Sequence, residues 1–164
     1  MSNQEIIRHE QFCQTIKEIR GSEEHLVVGI DVGKDRHHAF MGSATGATYD
    51  HKLIFGNDLA GFSKLLKVVK QIKSQHGLSK VVYGVEPTGN YHKPLGQHLI
   101  RCAKMVVLVT GQAVKYNRQL LDGRWDKNDT KDAANIADLV SRSRCQYYDY
   151  PSPNILQLNW RVLI

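Results

Sequence analysis

At 164 residues, 41% hydrophobic and 23% charged, the chain has the length and balance of one globular domain, and no stretch approaches the roughly 18 to 20 apolar residues that a membrane span needs. Its start, MSNQEIIRHEQF, is charged throughout and lacks the apolar run and small-residue cleavage site of a secretory signal, so a cytoplasmic protein is expected. Lys and Arg number 22 against 16 Asp and Glu, a formal charge of +6 with pI near 9.3, which favours a polyanionic partner.

In chain order, residues 4 to 20 place Phe12, Ile16 and Ile19 at helical spacing before Gly21 and Ser22 supply a stop, which predicts an N-terminal helical extension over residues 1–24. His25 to Gly33 reads as a strand whose Leu26, Val27, Val28 and Ile30 run is continuous enough to be buried on both faces, and so central in its sheet. Arg36 to Gly42 and Thr48 to Phe55 are two further strands joined by the hairpin sequence SATGA. Asn57 or Asp58 caps a helix to about Gln75, with Phe62, Leu65, Leu66, Val69 and Ile72 as its buried stripe and Gly77 as its terminator. From there the pattern alternates: strand from Lys80 to Glu86, helix from Tyr91 to Cys102, strand from Lys104 to Thr110, helix from Ala113 to Leu121. A polar loop, Asp122 to Asn128, precedes a last helix from near Asp129 through Ala133, Ile136, Ala137 and Val140 toward Ser143, and Pro151 and Pro153 break the pattern afterwards. The expected fold is a mixed five-stranded α/β sheet flanked by helices, occupying residues 25–146, with residues 147–164 a linker and the start of a following helix.

Four carboxylates stand out against this frame. Asp31 and Glu86 each follow a β-branched run at the end of a strand, and if those strands are parallel neighbours the two acids lie side by side at their carboxyl ends, the edge where α/β sheets place ligands. Asp129 and Asp132, three residues apart, share a helix face with Ala133, Ile136 and Val140, so packing that face on the sheet aims both acids at the same rim. Carboxylates gathered within about 4 to 6 Å repel, and a divalent cation relieves the repulsion; with hard oxygen donors and no soft ones the expected ion is Mg²⁺ or Mn²⁺. A plainer reading stays open for the second pair, since Asp129 suits a helix N-cap and Asp132 a first turn. Asp31, after four buried apolar residues, is costly unless paired or metal-bound.

The segments GIDVGKDRHH, GVEPTGNYH and KNDTKDAANIADL, in this order, resemble the amino-terminal domain of the DEDD transposases of bacterial insertion sequences, a group that includes the Piv-type DNA invertases. The likeness runs from about Leu26 to Arg144 and implies an RNase H-like fold similar to that of the RuvC resolvase. It implies that Asp31, Glu86, Asp129 and Asp132 are catalytic and hold Mg²⁺ (or Mn²⁺) beside a DNA phosphate. It further implies a nucleophilic Ser in a separate carboxyl-terminal domain, a noncoding guide RNA, and assembly into a homo-oligomer, dimer or tetramer. The chain is expected to stop just inside the following helix, without that second domain, and its apolar end, Ile155 to Ile164, to pair with another subunit.

Lys34, Lys115, Arg118, Arg124, Lys127 and Lys131 cluster in sequence around the proposed rim and suit phosphate contacts, although a solvated charged face explains any one of them; Tyr91 and His92, near Glu86, suit a nucleic-acid contact, and a core position suits the Tyr equally. The histidines have no ligand spacing with cysteine, and Cys13, Cys102 and Cys145 are odd in number and far apart, which argues against zinc and disulfides. His37 and His38, adjacent in a strand, point to opposite faces. GIDVGK is also similar to the first phosphate loop of actin-like ATPases, but the second loop and the length of those enzymes are missing. A stand-alone RuvC-like resolvase, or a nucleic-acid-binding and assembly module, are the other functions the residues permit.

Overall fold

In the computed structural model, which describes residues 2–120 and 131–149, six strands form one mixed sheet in the order β3-β2-β1-β4-β5-β6. The strands are β1 (His25–Asp31), β2 (Arg36–Ser43), β3 (Thr48–Gly56), β4 (Lys80–Val85), β5 (Met105–Leu108) and β6 (Gln146–Tyr147), and the helices α1 (Asn3–Glu18), α2 (Leu59–Gln75), α3 (Lys93–Arg101), α4 (Gly111–Leu120) and α5 (Lys131–Ser141). The first three strands are antiparallel neighbours, and β4 and β5 continue the sheet parallel to β1. This is the mixed α/β sheet flanked by helices that the sequence leads one to expect.

Alternation along β1 sorts the core into two layers. Leu26, Val28 and Ile30 face one way, into a cluster with Phe62, Leu65, Val69 and Ile72 of α2 and Leu95 and Leu99 of α3. Val27 faces the other way, into a cluster with Val82, Val107, and Ala133, Ile136, Ala137 and Val140 of α5. The α2 stripe is therefore the expected one, except that Leu66 is only partly buried. Asp58 caps α2 by accepting from the Gly61 amide at 2.7 Å, and Gly77, with φ of 62°, ends it in a conformation that disfavours side chains.

Glycines let α5 lie almost on the sheet backbone. Gly29 of β1 and Gly84 of β4 are partners in register. A Cβ on Gly29 would sit 2.1 Å from the Ala133 carbonyl oxygen and 2.6 Å from the Ala137 amide, and one on Gly84 would meet the Val140 Cγ2 at 2.5 Å. The two glycines thus form a trough that α5 fills, with its backbone over Gly29 and with the Val140 side chain over Gly84.

Three expectations change in detail. A sixth strand is present: Gln146 and Tyr147 pair antiparallel with β5, too short a stretch to leave any alternating pattern. The third helix begins at Lys93 rather than Tyr91, because Tyr91 and Lys93 first close turns onto the Thr88 and Asn90 carbonyls. α1 buries none of its residues; Ile19, just past its end, reaches the core, whereas Phe12 only packs against it and against Tyr147. The polar loop at 122–128, the start of the last helix with Asp129, and Ile155 to Ile164 lie outside the described residues.

Candidate active site

The register of β1 and β4 carries the site. Gly29 pairs with Gly84 and Ile30 with Val85, so residues 31 and 86 are the next pair at the carboxyl ends of two adjacent parallel strands. By alternation Asp31 takes the face of Gly29, the face on which α5 lies. Asp132 is in the first turn of α5, directly before the Ala133 carbonyl that rests on Gly29. The close seat of α5 in the glycine trough therefore brings Asp132 to the strand-end acids.

The electrostatics agree. Burial first, then the charge of Asp132, push the Asp31 carboxyl above its ordinary range, opposed by His38 and Arg118. Burial, then Asp31 and Asp132, push Glu86 up in the same way, and Arg118 again opposes. Three of the four singled-out acids thus act on one another through a shared field. Asp129 lies outside the described residues. Glu86 also backs onto α4: a Cβ on Gly111, the first residue of that helix, would be 3.0 Å from its Oε1.

Asp132 has a specific partner. The Arg118 guanidinium on α4 forms an ion pair with its carboxylate, both side chains partly exposed. The α4–α5 seam behind this pair is polar and buried. Asn117 Nδ2 donates to Asn135 Oδ1 and, at 3.1 Å, to Asp138 Oδ2, and Asn135 Nδ2 donates to the Val114 carbonyl at 2.8 Å. Arg142 closes the group on Asn117 Oδ1 and on Asp138, the latter at 2.8 Å. Among the described residues, no three Asp, Glu, His or Cys side chains are gathered closely enough to hold a metal ion as they stand.

The other singled-out residues divide. Lys34 is exposed in the turn leaving β1, and its carbonyl accepts from Asn57 Nδ2 at 3.1 Å. Tyr91 is 40% exposed in the turns that follow β4, which disposes of a core role for it. Lys115 is exposed on α4, and Lys131 is the first residue of α5. Arg124 and Lys127 lie outside the described residues. His92, beside Tyr91, is buried and meets the Tyr148 ring edge-on.

Sequence reasoning passed over His38. It stands directly opposite Asp31 in the antiparallel β1–β2 pair, so the two share a face, and its charge acts on that carboxyl. His37 takes the other face, where it is buried and accepts from the Gly33 amide at 3.1 Å. The hairpin register would have found His38. A second missed signal is the repeated Gly-x-acid pattern, Gly29-Ile30-Asp31 and Gly84-Val85-Glu86, which sets each acid two residues beyond a helix-docking glycine.

Comparison with known proteins gives a family match and matches among solved structures. The profile of the DEDD transposase family, described as a transposase, matches residues 28–161. Among solved structures, the chain is similar to T. thermophilus RuvC in complex with Holliday junction substrate, with a TM-score of 0.45 and 13% identity over 71% of this chain and 91% of that one. No curated protein matches the sequence.

Proposed function

Because the chain belongs to the DEDD transposase family, we propose that Asp31, Glu86 and Asp132, completed by Asp129, are the residues with which it acts on the DNA phosphodiester backbone in transposition. The observation that carries this reading is the shared field of Asp31, Glu86 and Asp132 at the carboxyl edge of β1 and β4. Burying acids side by side costs stability, and a fold retains such an arrangement for what the acids do.

The donor set suits Mg²⁺ or Mn²⁺: every group is a hard oxygen, and the raised pKa of Asp31 and Glu86 is the signature of carboxylates that need positive charge nearby. Asp31, Glu86, Asp132 and Asp129 would hold the ion, which when bound supplies the charge that stabilises a phosphodiester under attack. The protein's own part is positional. β1 and β4 fix two acids in register, α5 brings the third, and the exposed Lys34, Tyr91 and Lys115 are available to the nucleic-acid backbone. The net charge of +6 agrees with such a partner. The carboxyl-terminal serine, the guide RNA and oligomeric assembly of the family complete this reading.

The test measures metal-dependent cleavage or strand transfer on linear and branched DNA, with Asp31→Asn and Glu86→Gln beside the parent chain. Loss of a metal-dependent reaction in both variants, with the circular dichroism spectrum unchanged, is the expected result. A reaction that persists in either variant defeats the assignment. Tight DNA binding with no reaction in the parent would instead make the chain a binding and assembly module.

A further inference from the structure

Asp31, Glu86 and Asp132 share one field, yet among the described residues no three such groups close into a metal-ready set. Asp132 is the member of the group that is engaged by a basic side chain of another helix. Its Oδ1 accepts from the Arg118 Nη2 of the neighbouring helix, so its carboxylate is already engaged by a cation. The charge of Arg118 also reaches further, favouring the ionised forms of both Asp31 and Glu86.

Two features make this arrangement more than a surface ion pair. First, Arg118 is delivered to its place by a fixed element: Asn117, beside it, is 2% exposed and bonded to Asn135 and Asp138, so α4 cannot easily shift relative to α5. Second, the pair itself is open, with side chains 45% and 36% exposed, so the guanidinium can leave without any change in the fold. A guanidinium keeps its charge at any ordinary pH, so it vacates the cluster by moving and not by titrating.

We infer that Arg118 is the resident counter-ion of the carboxylate cluster, holding Asp132 in the metal-free protein and yielding it to an incoming divalent cation. Loading the site is then an exchange of one cation for another, which sets the metal concentration at which the site fills. The inference rests on the metal-site reading above. Removing Arg118 deletes both the bond that competes for Asp132 and a positive charge beside the incoming ion. Given the modest worth of exposed ion pairs, Arg118→Gln should bind the metal about two- to fivefold more tightly.

The experiment titrates the 164-residue chain, its Arg118→Gln variant and its Asp31→Asn variant with Mn²⁺, following the electron paramagnetic resonance of the free aquo ion, with circular dichroism to verify folding. Binding by the parent, its loss in Asp31→Asn and the stated tightening in Arg118→Gln support the exchange. Binding by the parent with equal or weaker binding by Arg118→Gln overturns the exchange and leaves the metal site standing. No binding by either the parent or Arg118→Gln overturns the metal site and the exchange together. A second measurement needs no variant: in the parent, the Arg118 guanidinium resonance should shift on saturation with Mg²⁺. An unchanged resonance at saturation overturns the exchange.

Discussion

At the scale of single residues, Asp31 is a liability to the fold. Its carboxyl and that of Glu86 are both pushed above their ordinary values by burial and by neighbouring acids. A carboxyl whose pKa is higher in the folded than in the unfolded state adds stability below the unfolded value, and that stability is lost as pH rises through the folded value. At neutral pH the ionised pair therefore works against folding. Asp31→Asn should raise stability by about 0.5–2 kcal/mol, the gain common on relieving unfavourable charge, read as a higher Tm at pH 7.5 in metal-free buffer. A lower Tm would mean that the ionised Asp31 holds the strand end in place. The sequence made these acids legible because each closes an apolar run, where ionised groups are rare. It did not make Arg118 legible as their counter-ion. That pairing joins two helices across a polar seam, and no local pattern records which basic side chain of α4 meets which acid of α5.

At the scale of elements, the seat of α5 decides where Asp132 goes. Apolar periodicity predicted the helix and its buried face correctly, and Ala133, Ile136, Ala137 and Val140 are all buried. How closely it approaches the sheet depends on Gly29 and Gly84, whose meaning appears only once β1 and β4 are paired. The two positions are not equivalent. A methyl on Gly29 would run into the Ala133 carbonyl and the Ala137 amide, backbone atoms that move only if the helix moves, whereas on Gly84 it would meet the end of the Val140 side chain. Overpacking a core costs about 1–3 kcal/mol and more where nothing can yield. Gly29→Ala should therefore lie at or above the top of that range in urea denaturation, and Gly84→Ala clearly below it. Equal losses would show that α5 rides on the sheet more loosely than these contacts require. One element escaped the sequence for a related reason: β6 is two residues that become a strand only because β5 offers a free edge. α1 was legible as a helix, but its apolar spacing did not show that it touches the core mainly through Ile19 beyond its end.

At the scale of the whole molecule, pH dependence is a contest between groups in different parts of the fold. His25, His37 and His92 are 2%, 0% and 9% exposed, and burial above all holds each imidazole below its ordinary value of 6.5. Between its folded and unfolded pKa each binds more protons in the unfolded chain, so its contribution is present above about pH 6.5 and is lost as the pH falls. Asp31 and Glu86 pull the other way, since acidification protonates them in the folded state first and removes their repulsion. From pH 7.5 down to about pH 4, a window that takes in both the histidine and the carboxyl range, the parent protein should thus lose Tm less steeply than the buried histidines alone would dictate, the two effects partly cancelling. An Asp31→Asn, Glu86→Gln double variant lacks the carboxyl side of the contest, so it should start from a higher Tm at pH 7.5 and lose it more steeply. Differential scanning calorimetry at the two pH values checks both parts. Parallel slopes for parent and variant would mean that the carboxyl cluster does not titrate against the fold in this window.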